Sequence, residues 1–580
     1  MLQRYKTQFL SLALAALFAP VLAQSPQQVF QSVAPPPNPK VQVSWSQYYD
    51  HAGINQICQK LAQAHPDLVR LETVGESYGG RRILALVVSD FRTGNPDRKP
   101  ALYVDGTIRG NELQGAEVAL YTAWFLAESF ESNAFIQELL QQKTLYIIPA
   151  IYLDARDLFM HGGSAAQTYR TGLVPADDDG DGLVDEDRPE DINQDGHITL
   201  MRRRSAQGRY QTHPDNPNQL ILAQPAEQGQ YELLGEEGWD NDGDGQVNED
   251  PYGYYAHNRD WARNWQPDYV QPGAFKYPFS VPENRNVKEF ILRHPNIAGA
   301  LDYIENQALQ ANLFEQKTAL GFATDDDLFW EQLRQQAETL IPDYWLGLPA
   351  YVLEQGYGTK QGWFTGGRGI LTFSLPLMSP YLAFYRRHGL GQEPDLEAYQ
   401  LNNRLLFSDA FVEWTPFEHP TLGPVEIGGF KKHFLRENAG YLAEEEAHRN
   451  MVFAVYHAYQ TPQLEIQELK TKLLPGGMTE VTATVTNTRL TPTHSRHDIT
   501  HKIERPDYVI LRDTNVVAGF VTEINGQKLN REQKNYPNKL ELENIPGQSF
   551  VKVKWLVKSA TPHLEVDVDS RKGGTVSRRF

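Results

Sequence analysis

The hydrophobic pattern of this chain changes near residue 462, and this change limits the fold more than any other feature. From about residue 45 to 380, short apolar runs alternate with segments whose apolar residues recur at helical spacing. After residue 462, runs such as VTATVTNTRL and SFVKVKWLV alternate with a period of two and are separated by turn residues. The first pattern is typical of α/β domains with a largely parallel, two-faced sheet, and the second of β-sandwiches. We therefore expect an α/β domain over residues 45–461 and a β-sandwich over residues 462–580.

The same pattern predicts the main elements of the first region. Short apolar runs predict strands at residues 83–89, 101–105, 144–150, 299–304 and 370–375. Helical spacing predicts helices at residues 54–65, 112–130 and 286–294. Cys58 is the only cysteine and lies within the first of these helices. We expect it to be a small buried residue, since reactive cysteines need exposure and a lowered pKa.

The amino-terminal residues are typical of an export signal. Arg4 and Lys6 precede an apolar stretch at residues 9–19, and small residues before position 24 offer a cleavage point after Ala23. The alternatives are a buried helix and a membrane anchor. We expect a signal peptide over residues 1–23, a linker rich in Gln, Pro and Ser over residues 24–44, and an exported protein in the periplasm or outside the cell. No later apolar run reaches the length of about 18 residues that predicts a membrane span.

The negative charge of the chain is concentrated in two segments. The formal net charge is −19, whereas residues 177–195 contain ten acids and one arginine, and residues 236–250 contain seven acids and no base. The rest of the chain is nearly neutral. Such a balance argues against nucleic acid as a partner and points to two local acidic features.

These segments contain a repeated motif. DDDGDGLVDED begins at Asp177, DINQDGHI at Asp191 and DNDGDGQVNED at Asp240, and glycine occupies the sixth position of each copy. Alternate carboxylates around a glycine turn supply the oxygen ligands that calcium prefers. The twelfth position lacks the usual Glu, so later residues such as Asp185, Asp187, Asn248 and Asp250 would have to complete the sites. We expect calcium-binding insertions at residues 177–202 and 240–251. The candidate ligands are Asp177, Asp179, Asp181, Asp185, Asp191, Asn193, Asp195, Asp240, Asp242, Asp244 and Asn248.

Several ordered motifs between residues 45 and 380 resemble the zinc carboxypeptidases of the carboxypeptidase A type. They are GESYGGR from Gly75, DGTIRGNE from Asp105, HNRDW from His257, and PFSVPENRNVKEFILRHPNIAGALDYI from Pro278. The acidic insertions and the β-rich tail are similar to those of a large bacterial branch of the family. The resemblance implies an α/β/α domain around a mixed twisted sheet, and a zinc ion held by His-x-x-Glu and a distant His.

The sequence departs from this family where the zinc chemistry would take place. Glu112 matches the ligand Glu, but Arg109 stands at the first His and Ile304 at the distant His. Pro376, or its neighbour Leu377, stands at the general-base Glu, and Thr365 at a conserved Tyr. A guanidinium has no lone pair for a metal, and one carboxylate is too few for a catalytic zinc site. We therefore expect an Arg109–Glu112 ion pair in the place of the metal.

Some substrate-binding residues match the family. Asn258 and Arg259 fall at the positions that grip the terminal carboxylate of a peptide, although Arg259 could equally pair with Asp260. His161, His197 and His257 are available as substitute zinc ligands, and a surface position is the simpler interpretation of each.

These features favour an exported carboxypeptidase homologue that binds peptide or cell-wall peptide C-termini, or another protein, without cutting them. Calcium is the expected metal, and zinc, the cofactor of the family, is not expected here. The alternatives are an active metallocarboxypeptidase with rearranged zinc ligands, and a calcium-stabilised scaffold with an idle cleft.

Overall fold

A computed structural model describes residues 38–162, 174–305, 357–377 and 394–579, together with residue 36 and a few positions between 332 and 340. Residues 215, 225, 226, 254, 438, 514 and 563 within these ranges are excepted, as are the side chains of Glu305, Pro376, residues 394–397 and residues 435–436. The predicted signal peptide and most of the predicted linker lie outside the described residues.

The first domain is built around a six-stranded mixed sheet. Its strands are β1 (Val69–Glu76), β2 (Arg82–Val88), β3 (Ala101–Asp105), β4 (Thr144–Ile148), β9 (Ile297–Glu305) and β10 (Leu371–Leu377). Their order is β1-β2-β4-β3-β9-β10. The strands β4, β3, β9 and β10 run parallel, whereas β1 and β2 pair antiparallel at one edge. The mixed sheet is confirmed, and the five strands expected from the sequence all belong to it.

Helices flank the sheets of the first domain. They are α1 (His51–Ala64), α2 (Gln114–Ser129), α3 (Ala134–Gln142), α4 (Leu153–His161), α5 (Pro282–Arg293), α6 (Pro394–Leu405), α7 (Lys432–Arg436) and α8 (Gly440–Gln460). Of these, α6 and α7 contribute to a separate small apolar core. Fifteen of the sixteen residues of α2 are buried, because it contacts β9 on one side and α8 on the other. Cys58 is fully buried in α1, as expected, and burial raises the pKa of its thiol to about 12.

A second six-stranded sheet lies within the first domain and was not expected from the sequence. It contains β5 (Leu200–Arg204), β6 (Tyr210–His213), β7 (Asn216–Leu222), β8 (Tyr231–Glu236), β11 (Phe411–His419) and β12 (Gly423–Phe430), in the order β11-β12-β5-β8-β6-β7. Arg202 joins its two halves: its guanidinium donates to Glu426 at 2.7 Å and lies over the rings of Tyr231 and Trp414.

The carboxyl-terminal region contains two antiparallel sheets. Their strands are β13 (Leu464–Leu474), β14 (Met478–Asn487), β15 (Asp507–Leu511), β16 (Val516–Ile524), β17 (Gln527–Glu532), β18 (Lys539–Leu542), β19 (Ser549–Val557), β20 (Glu565–Ser570) and β21 (Gly574–Arg579). The sheet orders are β13-β14-β19-β16-β17 and β18-β15-β20-β21. Their apolar side chains form a core of their own around Trp555 and Val553. The one departure from the all-strand expectation is the short helix α9 (Arg496–His501).

Across the part of the chain that the structure describes, no helix combines the length and apolar character needed to cross a membrane.

Candidate functional site

The candidate site lies at the carboxyl ends of the parallel strands β3, β9 and β10, where α/β sheets commonly bind ligands. After β3 the chain forms the loop 106–113, which carries Arg109 and Glu112 into α2. Gly106 packs against the backbone of Gly115 so closely that a Cβ on Gly106 would lie 2.3 Å from the Gly115 carbonyl carbon. Glycine at position 106 thus allows the loop to fold back on the first turn of α2.

Arg109 and Glu112 form an ion pair, as the sequence predicts. The Nη1 atom of Arg109 donates to Oε1 of Glu112 at 2.6 Å. The Glu112 side chain is only 2% exposed, whereas that of Arg109 is 25% exposed. The buried carboxylate is therefore already bound by a charged side chain, and charge-assisted pairs of this length are among the stronger hydrogen-bonded contacts.

Ile304 and Pro376 occupy neighbouring positions on adjacent strands. The parallel pairing of β9 with β10 places Pro376 opposite Ile304 in the register. Ile304 is 7% exposed and part of the apolar core of the domain. Zinc binds through nitrogen, sulfur or carboxylate oxygen, and neither residue type offers such an atom. Ile304, at the position of the distant His, therefore cannot bind zinc, and Pro376 cannot act as a general base.

A buried charge cluster lies next to this register position, and the sequence did not reveal it. Lys360 Nζ lies 2.5 Å from Asp105 Oδ1 and 3.5 Å from Asp302 Oδ2, and Lys360 is fully buried. Tyr103, Gln361 and Ser374 donate to the two carboxylates at 2.6–2.7 Å. Burial raises the pKa of Asp105 to about 6 against the attraction of Lys360. Burial alone would lower the pKa of Lys360, but the two carboxylates raise it above its usual value.

Asn258 and Arg259 lie beside this cluster on the helical turn His257–Arg259. The backbone N–H of Lys360 donates to Asn258 Oδ1 at 2.8 Å. The Nδ2 atom of Asn258 is buried and has no hydrogen-bond partner among the described residues. Arg259 is half-buried, and its Nη1 atom donates to the Asn258 carbonyl at 2.9 Å. The side chains of Asn258 and Arg259 are thus two hydrogen-bond donors held beside Lys360.

The carboxylate of Asp260 has its own donors. It accepts hydrogen bonds from Ser280 Oγ at 2.8 Å and from the backbone N–H of Val281 at 2.9 Å. Thr365, at the position of the family Tyr, is 4% exposed within the π-helical turn Trp363–Gly367, so it does not present an exposed phenol-like group.

The three histidines considered as substitute zinc ligands do not come together. His257 is buried, against the surface expectation, because its ring stacks on Tyr152 with centroids 3.5 Å apart. Burial lowers its pKa well below the usual value. His161 is largely exposed and lies 3.3 Å from Asp50. His197 is half-buried, and no group of three potential ligands among the described residues includes a histidine.

The GESYGGR motif holds its own segment against α4. Ser77 Oγ and Arg81 Nη1 both donate to Asp154 Oδ1, at 2.8 and 2.7 Å. The Arg81 Nε atom also donates to Asp157 at 3.0 Å. This motif therefore acts as a structural clamp between β1, β2 and α4.

The acidic loops fold as the repeat predicts. Within the first loop, 177–187, the carboxylate of Asp177 accepts from the backbone N–H groups of Gly180 and Gly182. In the second loop, 240–250, Asp240 accepts from Gly243 and Gly245 in the same way. The glycines have positive φ angles, which favour this residue type.

The two loops lie against each other and bring their acids together. Four groups of three acids have ligand oxygens within 4.8 Å of one another: Asp177–Asp179–Asp181, Asp179–Glu186–Asp250, Asp179–Asp242–Asp244 and Asp187–Asp242–Glu249. Of the predicted calcium ligands, Asp177, Asp179, Asp181, Asp242 and Asp244 belong to these groups. Glu186 and Glu249 are additions that the sequence did not single out.

Other predicted ligands have different partners. Asp185 accepts from the backbone N–H groups of Ala176 and Gly253, and the Asn248 amide donates to the Glu236 carbonyl at 2.6 Å. The third loop has the same turn, since Asp191 accepts from the N–H groups of Asp195 and Gly196. Asn193 and Asp195 hydrogen-bond within that turn.

Two family models match this chain. The model described as zinc carboxypeptidase matches residues 54–158, which include Arg109 and Glu112. A domain of unknown function (DUF8731) matches residues 463–580, the region of the two antiparallel sheets.

Curated relatives are carboxypeptidases. The chain is 28% identical over 128 residues to the carboxypeptidase N catalytic chain of Rattus norvegicus, covering 21% of this chain and 28% of that protein. It is 32% identical over 113 residues to carboxypeptidase B of Astacus astacus, covering 19% of this chain and 35% of that protein. The matched segment thus spans about a third or less of these relatives.

The chain also resembles solved structures at low sequence identity. Thrombin activatable fibrinolysis inhibitor has a TM-score of 0.39 at 13% identity, with 72% of this chain and 74% of that chain covered. Carboxypeptidase A from Helicoverpa armigera has a TM-score of 0.37 at 15% identity, with 73% and 78% covered. On the ordered motifs and the match of residues 54–158, the α/β domain of this chain is similar to the zinc carboxypeptidases.

Proposed function

We propose that the α/β domain binds the C-terminal ends of peptides, such as cell-wall peptide tails, without hydrolysing them. The observation that carries the proposal is the Arg109–Glu112 ion pair at 2.6 Å, which places a guanidinium on the carboxylate that would be the zinc ligand. A cation fixed on this carboxylate opposes the binding of a second cation by charge repulsion.

The chemistry of hydrolysis supports the same view. Zinc peptidases need a metal to lower the pKa of water from about 15.7 to about 7. Ile304 and Pro376 supply neither a metal ligand nor a general base at their register position. The Lys360–Asp105–Asp302 cluster is fully buried, and Lys360 is already engaged by both carboxylates. None of these groups offers an activated nucleophile to a peptide bond.

Binding of a terminal carboxylate is supported by Asn258 and Arg259. The half-buried guanidinium and the unpartnered Asn258 Nδ2 atom provide two hydrogen-bond donors side by side. A guanidinium fork is well suited to a carboxylate, and hydrogen bonds to charged groups contribute about 1.5–3 kcal/mol each. The substrate-binding part of the family site is thus retained while its metal-binding part is replaced.

The test compares peptides that differ only at the C-terminus. Calorimetry should show that a peptide with a free C-terminal carboxylate binds at least about tenfold more tightly than its C-terminal amide, because one charged contact is lost. Arg259→Gln should remove this preference, whereas Arg203→Gln in β5, whose guanidinium contacts Glu232 instead, should retain it. Equal binding of the acid and the amide contradicts the proposal. Chelator-sensitive release of C-terminal residues would favour the alternative, an active metallocarboxypeptidase with rearranged ligands.

We also propose that the protein is exported and that its acidic loops bind calcium as a structural ion. The clustered carboxylates repel one another, and an ion bound only by the native chain stabilises it by mass action, by about 2.7 kcal/mol at one hundred times its dissociation constant. Millimolar calcium should raise the melting temperature, and zinc should have little effect. Asp179→Ala and Asp242→Ala should each reduce the calcium shift, and an unchanged melting temperature in the intact protein would contradict calcium binding.

A further inference from the structure

The first and second acidic loops are related by a reciprocal exchange of acids. Position by position, Asp179, Glu186 and Asp187 of the first loop correspond to Asp242, Glu249 and Asp250 of the second. Yet the structure groups Asp250 with Asp179 and Glu186, and it groups Asp187 with Asp242 and Glu249. The last acid of each loop, Asp187 or Asp250, thus belongs to the group formed by the other loop. We call these two residues the exchanged acids.

The backbone contacts between the loops follow the same symmetry. Asp187 Oδ1 accepts from the backbone N–H of Asn241 at 2.7 Å, and Asp250 Oδ1 accepts from that of Asp178 at 3.2 Å. Asn241 and Asp178 are both second in their loops. These contacts use one oxygen of each exchanged acid, Oδ1, and leave the other, Oδ2.

These remaining oxygens are the independent sign of a ligand. Asp187 and Asp250 are fully buried, and the Oδ2 atom of each has no hydrogen-bond partner. The Oε2 atoms of Glu186 and Glu249 are likewise buried without a partner. Among the described residues, no lysine, arginine or histidine forms an ion pair with any acid of the two groups. Buried carboxylate oxygens that accept no hydrogen bond and face no counter-charge are costly, and a bound cation removes this cost.

We propose that the two loops form a single two-ion calcium centre, in which each ion is bound by two acids of one loop and the exchanged acid of the other. This inference rests on the proposed calcium binding and specifies its ligands. One ion lies among Asp179, Glu186 and Asp250, and the other among Asp242, Glu249 and Asp187. The grouping of Asp179 with Asp242 and Asp244 places the two sites side by side. All donors are oxygens, the ligand type of calcium.

The centre has a structural consequence. The exchanged acids join two segments that are 53 or more residues apart along the chain and that flank the strands β5–β8. Loss of either exchanged acid should therefore weaken the binding of an ion in the opposite loop.

The test uses adjacent residues that belong to different sites. Bound calcium is counted by equilibrium dialysis on the full-length chain after chelator treatment. The double variant Glu186→Gln/Asp187→Asn changes neighbours in one loop and should lose two ions. The variant Asp187→Asn/Glu249→Gln changes both loops and should lose one ion. If each loop binds its own ion without the other loop, the first variant should lose one ion and the second should lose two. As a matched control, Glu444→Gln/Glu445→Gln changes two adjacent acids of α8 and should lose none.

The outcomes separate the two proposals. If the wild-type chain binds no calcium, the calcium proposal fails and the exchanged centre fails with it. If calcium binds but the two double variants show the reverse losses, calcium binding stands and the exchange is wrong. Circular dichroism of each variant checks that it is folded like the wild-type chain. As a measurement independent of variants, anomalous scattering from terbium in crystals of the wild-type protein should give two adjacent peaks, each contacted by both loops. Peaks contacted by one loop each contradict the exchange.

Discussion

At the scale of single residues, the candidate site contains basic side chains where the family resemblance leads one to expect a metal. Arg109 pairs with Glu112 in the loop after β3, and Lys360 pairs with Asp105 and Asp302 at the ends of the strands beneath it. The carboxylates of the candidate site are thus paired with a guanidinium and an ammonium. Neither can activate water as zinc does.

The Lys360 cluster gives a pH-dependent prediction. Lys360→Met leaves Asp105 and Asp302 buried without a counter-charge, which should lower the free energy of unfolding at pH 7 by about 3–5 kcal/mol. Without the lysine, the pKa of Asp105 should rise above its present value of about 6. In the unfolded chain an Asp titrates near about 3.9, so the native variant binds a proton that the unfolded chain does not. The decrease in the free energy of unfolding that Lys360→Met causes should therefore be smaller at pH 5 than at pH 7.

Chemical denaturation of both proteins at the two pH values measures this difference. The matched control is Lys360→Met/Asp105→Asn, which removes the ammonium and one of its two carboxylates and should be less sensitive to pH than Lys360→Met alone. A stability loss that is the same at pH 5 and pH 7 would show that the cluster is not governed by its charges.

Contacts between side chains could be predicted only where the two residues are close in sequence. The Arg109–Glu112 pair follows from a spacing of three residues, and the structure contains it. Lys360 is 255 positions from Asp105 along the chain, so nothing local identified it. His257 was expected at the surface because a single histidine gives no sign of burial, whereas in the fold it stacks on Tyr152.

At the scale of elements, the carboxyl-terminal region holds the segment that precedes β10. His497 of α9 contacts the Gly366 carbonyl at 3.0 Å, and Lys572 Nζ donates to the Gly369 carbonyl at 2.7 Å. Arg368 pairs with Glu504. The turn Trp363–Gly367, which contains Thr365, is thus fixed by contacts with α9 and its surroundings.

His494 gives a second pH-dependent prediction. Its ring lies between Asp498 at 2.8 Å and Asp507 at 3.3 Å, and Lys572 also contacts Asp498. Burial alone would lower its pKa, but the two carboxylates raise it to about 9. Since this exceeds the unfolded value of about 6.5, the stabilisation is complete below pH 6.5 and is lost as the pH rises through about 9.

The measurement is the free energy of unfolding between pH 6.5 and 9.5. The wild-type protein should lose about 1–3 kcal/mol more than His494→Gln over this range, because the variant has no imidazolium to deprotonate. His501→Gln, at the end of α9, is the control and should behave like the wild type. If His494→Gln shows the same decline as the wild type, the imidazolium does not stabilise this region.

The elements that sequence analysis identified are those with a strong local signal. The strands of the central sheet are continuous apolar runs and were found. The second sheet was missed because 174 residues separate β8 from β11, and the alternating exposed positions of its strands resemble loops. Its stability comes from cross-strand contacts such as Arg202 with Glu426, which no local pattern encodes.

At the scale of the whole molecule, two separate apolar cores correspond to the two predicted regions. The core of the first contains the sheet β1-β2-β4-β3-β9-β10 and α2, and the core of the second lies between the two antiparallel sheets. Lys143, which donates to the carbonyls of Thr461 and Pro462, fixes the chain where one region passes into the other. The boundary predicted near residue 462 rests on the change in hydrophobic period there.

We predict that residues 462–580 fold alone, since their core contains only their own side chains. The isolated region should be soluble and unfold cooperatively, although it should be less stable than in the full chain because the contacts with Gly366 and Gly369 are lost. Circular dichroism during thermal unfolding measures both properties. A non-cooperative or disordered fragment would show that this region depends on the α/β domain.

The central claim is our proposal that this carboxypeptidase-like domain binds peptides without zinc. The most direct test is metal analysis of full-length protein purified without added zinc or chelator, together with an assay for amino acids released from peptide C-termini. We predict zinc far below one ion per chain and no release, before or after zinc is added. One zinc per chain, together with release that a chelator abolishes, would contradict the claim.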